Sequence, residues 1–231
     1  MGLEIERAVG ELNARREVRC VLLRGEGKAF CAGGDLGFID ARTHASAEEN
    51  RAAMLAFYRL FLSVRRLEVP SIALLHGPAR GAGVCFALAC DLRLASSDVS
   101  LALNFVRLGL HPGMGASWLL PRIVGPARAA ELLLTGQSID AEEALRIGLV
   151  NRVVAADGLL EAGRSMAAVI ATAAPIAVRQ TKRSLLATFD RTLDQALEGE
   201  ADAQAVDYAS EDLVEGVRAA REKRSPSFSG R

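Results

Sequence analysis

Two glycine-rich turns, Cys31-Ala32-Gly33-Gly34-Asp35 and Gly81-Ala82-Gly83, constrain this chain more than any other feature. Each follows a short apolar run that ends in turn residues, and each leads into a segment that reads as helix. Glycine permits unusual dihedrals and close backbone approach, so such turns can present bare N–H groups to a ligand. A pair of them can aim two backbone donors at one oxygen, the anatomy of an oxyanion hole.

The segments around the turns alternate in type. Residues 3 to 16 carry a helix-like stripe of Leu3, Ile5, Ala8, Val9 and Leu12. Val18 to Leu23 reads as a buried strand closed by Gly25 and Gly27, and residues 47 to 66 as an amphipathic helix. Pro70 ends that helix. Ser71 to Leu75 is a second strand, stopped by His76-Gly77-Pro78, and Val84 to Leu92 is apolar all round, as in a helix buried on every side. Arg93 to Ala95 and Val99 to Ala102 follow as strands. Strands alternating with helices predict an α/β layered fold.

From about residue 126 the pattern turns helical, over Ala127–Thr135, Ala141–Ile147, Leu159–Ala173 and Ala177–Leu197. Asp140 and Glu143 make a capping pair, and Gly148 supplies a stop. The expected division is therefore an α/β core over 1–125 and a helical region over 126–231. The polar tail from Glu222 to Arg231 is expected to fray or to pack on a neighbour.

Composition excludes several classes. Lys plus Arg and Asp plus Glu both number 28, which leaves no net charge. No basic block appears, so neither nucleic acid nor an anionic membrane is an expected partner. No apolar run approaches the roughly 20 residues of a membrane span, and the N-terminus lacks a signal-like stretch. The four cysteines form no CxxC pair and sit in apolar surroundings, as reduced thiols of a cytoplasmic protein do. No metal-ligand spacing is present. Gly81-x-Gly83 has phenylalanine, Phe86, at the third position of a dinucleotide-binding fingerprint, and no phosphate-binding Walker loop occurs.

Lys28-Ala-Phe-Cys-Ala-Gly-Gly-Asp-Leu36 resembles the first oxyanion turn of the crotonase (enoyl-CoA hydratase/isomerase) superfamily. His76 to Gly83, running on to Cys90-Asp91, resembles the second. Leu108 to Gly115 is similar to the family's next glycine-rich turn, and Leu134-Thr-Gly136 and Ala144 to Val150 continue the match in order. The resemblance implies a spiral of ββα units with a helical C-terminal region that trimerises, as a homotrimer or a dimer of trimers. It implies an acyl thioester of coenzyme A, or a carrier-bound one, as ligand, and no cofactor beyond the coenzyme A of the substrate. Carried over by residue, the backbone N–H groups of Gly34 and Ala82 are the oxyanion donors, and Asp35, Leu36 and Gly37 line the thioester and pantetheine.

Two departures qualify what is implied. The two glutamates of the family's hydratases fall on Cys85 and Phe105, and the isomerase carboxylate falls on Phe105 or Gly113. Hydration needs acid/base groups that phenylalanine and an apolar-flanked thiol do not supply. His44, His111, Asp35 and Cys85 are the remaining polar candidates near the motifs. Family members also carry a strand pair, ahead of the helix that starts here, that helps hold the nucleotide end of coenzyme A. Three readings stand: enolate stabilisation without plain hydration, decarboxylation of the polyketide β-branching type, and a thioester-binding protein without catalysis.

Overall fold

The computed structural model describes residues 1–231. Helix α1 (Gly2–Ala14) precedes strand β1 (Val21–Arg24), short helix α2 (Leu36–Arg42) and helix α3 (Ala47–Phe61), which continues as a 3-10 turn to Arg66. Then come β2 (Ser71–Leu75), β3 (Pro78–Arg80), α4 (Ala82–Leu88), β4 (Leu92–Ser96), β5 (Ser100–Ala102) and a 3-10 turn, Asn104–Leu108. Helix α5 (Ala116–Thr135) leads to β6 (Ser138–Ile139), α6 (Ala141–Arg146) and β7 (Arg152–Val154). The chain ends with α7 (Leu159–Ala171), α8 (Pro175–Ala187), α9 (Leu193–Tyr208) and α10 (Glu211–Glu222).

The strands form two sheets. One is parallel, in the order β1-β2-β4-β7; the other, β3-β5-β6, is smaller and mixed. The chain visits the large sheet, then the small one, then a helix, and repeats: β2, β3, α4 are followed by β4, β5 and α5. The first repeat reaches the small sheet only through an isolated parallel bridge between Cys31 and Ala79. This is the expected spiral of ββα units. Strands β6 and β7 carry both sheets past residue 125.

Alternation along β2 divides the interior in two. Ala73 and Leu75 join the main core with Val84, Ala87, Leu101 and Leu120. Ile72 and Leu74 point to the opposite face, where Leu94 and Leu159 meet them under α7. All five β2 residues are buried, as expected of a central parallel strand covered on both sides.

One polar cluster ties the layers together. Asp91, just past α4, accepts from Ser71 N at 2.7 Å, from Ser71 Oγ at 2.8 Å and from Lys182 Nζ at 2.7 Å. Lys182 is 7% exposed and also donates to Val69 O at 2.9 Å. The start of β2, the end of α4 and helix α8 thus share one satisfied ion pair.

The structure differs from the sequence expectations in several places, beginning with α4, which stops at Leu88 so that Leu92 opens β4. The helix expected over Ala177–Leu197 is two helices, because Thr192 starts a new one with a capping box to Gln195. A helical stretch from Ala116 precedes the expected Ala127 start, separated from it by Gly125 at φ 77°. Pairing of β1 begins at Val21, opposite Ser71, rather than at Val18. The tail neither frays nor needs a neighbour: Ser229 N and Gly230 N donate to the buried Asp212 carboxylate of α10, and Glu211 N donates to Arg231 O at 2.7 Å. No single helix is long and apolar enough to cross a membrane.

The Lys182→Met variant removes the cation that the Asp91 carboxyl faces. Losing one member of a buried pair costs about 3 kcal/mol. The urea midpoint should fall by that equivalent with the m-value unchanged; an unchanged midpoint would refute the role given to this pair.

Candidate active site at the two glycine turns

Residues 28 to 33 and 77 to 83 run side by side. Arg80 N donates to Cys31 O at 3.0 Å, and Cys31 bridges Ala79. A Cβ at Gly77 would lie 2.2 Å from Lys28 O, and the approach is as tight at Gly83, where a Cβ would lie 2.3 Å from Cys31 O and 2.7 Å from Cys31 Cβ. Only glycine fits there, because backbone on one side cannot yield. Gly81 N is fixed by Ala102 O at 2.8 Å, and Gly81 takes φ 47° and ψ −114° to aim the chain into α4.

Ala82 is then the first residue of α4. Its N–H has no backbone or side-chain acceptor within the chain, as expected of a first-turn amide. The Gly34 N–H is equally without a partner. Gly34 is exposed and Ala82 half-buried, so both amides can be reached from outside. The dipole of a helix start favours negative charge beside Ala82.

The neighbouring positions divide into structural and unassigned groups. Asp35 caps α2, its Oδ1 accepting from Phe38 N at 2.7 Å. Leu36 and Gly37 sit on the exposed first turn of that helix. The Phe105 ring reaches Gly81: a Cβ on Gly81 would lie 3.6 Å from Phe105 Cζ and from Asn104 Oδ1. Cys85, three residues after Ala82 on the same helix, is fully buried and its Sγ lies 3.6 Å from Gly113 O. Burial pushes the Cys85 thiol up to about 12.

The histidines stand elsewhere. His44 and His111 are exposed, and no hydrogen bond involves either ring. His76 lies 3.3 Å from Gly27 O through Nε2. No group of three His, Cys, Asp or Glu side chains is placed to hold a metal ion. A cavity of about 650 Å³ lies away from the turns, between α5, α7 and α8, and Trp118, Arg122 and Lys182 line it.

A residue with no motif around it also reaches this region. Tyr58 of α3 brings its hydroxyl against Gly113, so close that a Cβ on Gly113 would lie 2.6 Å from Oη. Its only sequence signal is a place on the apolar side of the α3 stripe, where an aromatic reads as core.

At pH 8 a thiol titrating near 12 is ionised to about one part in ten thousand. Iodoacetamide should therefore leave Cys85 unmodified in the folded protein and label it once urea opens the core. Peptide mapping that finds Cys85 alkylated without denaturant would contradict its burial.

The comparisons with known proteins agree on one assignment. The sequence matches the enoyl-CoA hydratase/isomerase family over residues 2–231. A crotonyl-CoA hydratase of Syntrophomonas wolfei is 37% identical over 227 residues, covering 98% of this chain and 86% of that protein. A mitochondrial Delta(3,5)-Delta(2,4)-dienoyl-CoA isomerase of Dictyostelium discoideum is also 37% identical, covering 94% of this chain and 78% of its own length. The crystal structure of an enoyl-CoA hydratase from Bacillus anthracis superposes with a TM-score of 0.91 at 36% identity, covering 99% of this chain and 88% of that one. Relatives named for different reactions match it alike in sequence, and this chain belongs to the enoyl-CoA hydratase/isomerase family.

Proposed function

We propose that this protein binds an acyl thioester of coenzyme A and stabilises its enolate between the backbone N–H groups of Gly34 and Ala82. The observation that carries the reading is the pair of partnerless amides on two turns locked together at Cys31, Ala79 and Gly83. Charge develops on the thioester oxygen as the enolate forms, and fixed donors favour that state over the neutral carbonyl. One such donor is worth about 3 kcal/mol in other enzymes.

The same site argues against plain hydration. Adding water across a double bond needs a group to deliver the water and take its proton. Position 85 holds a protonated, buried thiol and position 105 a phenyl ring. A reaction that needs no such group forms the enolate by breaking a carbon–carbon bond, as in loss of carbon dioxide from a malonyl-type thioester. In that step the C–C electron pair passes into the enolate and no side-chain base is required. A carrier-bound thioester fits the same turns, since the donors address only the thioester oxygen.

Mass-spectrometric turnover of crotonyl-, 3-enoyl-, malonyl-type and 3-methylglutaconyl-CoA tests this. Proline is tolerated at a first helical position, so Ala82→Pro removes one donor while α4 persists. A product that forms with the parent and falls at least a hundredfold in Ala82→Pro is expected, with crotonyl-CoA hydration at background. Hydration at ordinary enzymatic rates would sink the exclusion. Silence across the panel from a folded protein would leave a binding protein.

The exposed apolar side chains Phe189, Leu193, Leu197, Val206 and Tyr208 on the last helices support assembly as a homotrimer. Sedimentation should give three or six times the 24.5 kDa chain mass; a monomer would exclude it.

A further inference from the structure

Tyr58 has no place in the chemistry above, although it reaches the same region. Its hydroxyl makes no hydrogen bond within the chain and is not sealed from solvent. Phe57 meets the Tyr58 ring edge-on at 6.2 Å and fixes its aim. The place it occupies is cleared by Gly113: a Cβ there would lie 2.6 Å from Oη and 3.0 Å from Cζ. Gly113 O in turn faces Cys85 Sγ at 3.6 Å.

These contacts locate the phenol along the acyl group. Cys85 follows Ala82 by about one turn of α4, and a turn rises about 5.4 Å. A thioester oxygen held at the Ala82 N–H lies about one helical turn from Cys85, and Cys85 packs on Gly113, the residue that the Tyr58 hydroxyl touches. On the proposed reading of the two turns, we infer that Tyr58 Oη–H donates a hydrogen bond to an oxygen on C3 of the acyl group. The preferred ligands are then thioesters oxygenated at that carbon, of the 3-oxoacyl, 3-hydroxyacyl or malonyl type. Tyr58 is a specificity-determining residue in this assignment.

The surroundings suit a donor. Burial holds the Tyr58 hydroxyl above its usual range, with the neighbouring Cys85 adding to the shift, so the O–H is kept at neutral pH. Phe105 and Cys85 offer a C3 oxygen nothing comparable. An apolar C3 would leave the phenol unpartnered, and a site that leaves a polar group unpaired discriminates against the ligand that does so.

The test is calorimetric affinity for acetoacetyl-CoA and butyryl-CoA, which differ in oxygen at C3. The parent protein should bind acetoacetyl-CoA at least fivefold more tightly. Tyr58→Phe keeps the ring packed on Phe57 and should remove that preference, lowering acetoacetyl-CoA affinity about fivefold to tenfold while leaving butyryl-CoA unchanged. Gly113→Ala, which pushes the phenol out of its place, should do the same. Ala82→Pro should weaken both ligands alike. Equal affinity of the parent for the two, or equal losses in Tyr58→Phe, would overturn the role of Tyr58. Unchanged affinities in Ala82→Pro would instead overturn the oxyanion reading.

Discussion

The arrangement of this site depends on one backbone contact, the seating of Gly83 on the carbonyl of Cys31. A side chain at 83 would stand 2.3 Å from that oxygen. The contact joins the first ββα repeat to the second where regular sheet pairing has dwindled to a single bridge. Because both partners are backbone, the distance between the turns is set by close backbone packing rather than by flexible side chains. The Gly34 and Ala82 amides inherit that rigidity. Donors that need no reorganisation are the ones that stabilise developing charge most.

The rest of the molecule holds the second turn in place. Gly81 N is tied to β5 at Ala102 O, so the start of α4 is pinned by the small sheet. The far end of α4 is pinned by Asp91, which takes Ser71 from β2 and Lys182 from α8. Helix α4 is thus anchored at both ends, with Val84, Cys85, Ala87 and Leu88 buried between. Its apolar surface removes water from all but its first turn. The free amide end is the part left polar and reachable.

Much of this was legible in the sequence because it rests on local patterns. The glycine turns, the buried run after Gly83 and the Asp140–Glu143 cap each announce themselves within ten residues. What was hidden depends on pairing across long separations. The two-residue β6 has no pattern of its own, and β7 is a strand only because Leu94 to Ser96 pair with it. The break at Thr192 was masked by apolar residues on both sides, while the tail's docking needs Asp212, whose burial no local pattern reveals. Tyr58 was invisible as a site residue for the same reason: its meaning lies in Gly113, on another element.

Cys85 and Phe105, standing where the family resemblance implies carboxylates, bear on how the proposed site divides its labour. In enzymes generally, a single oxyanion donor contributes about 10² to 10³ in rate and a general base about 10² to 10⁴. A site with donors alone retains a large part of the acceleration, provided the substrate supplies the enolate without losing a proton to a side chain. Loss of carbon dioxide from a carboxylate at C3 meets that condition, because the C–C electron pair becomes the enolate and the C3 carboxylate leaves as carbon dioxide. The proposed hydrogen bond from Tyr58 falls at that carbon.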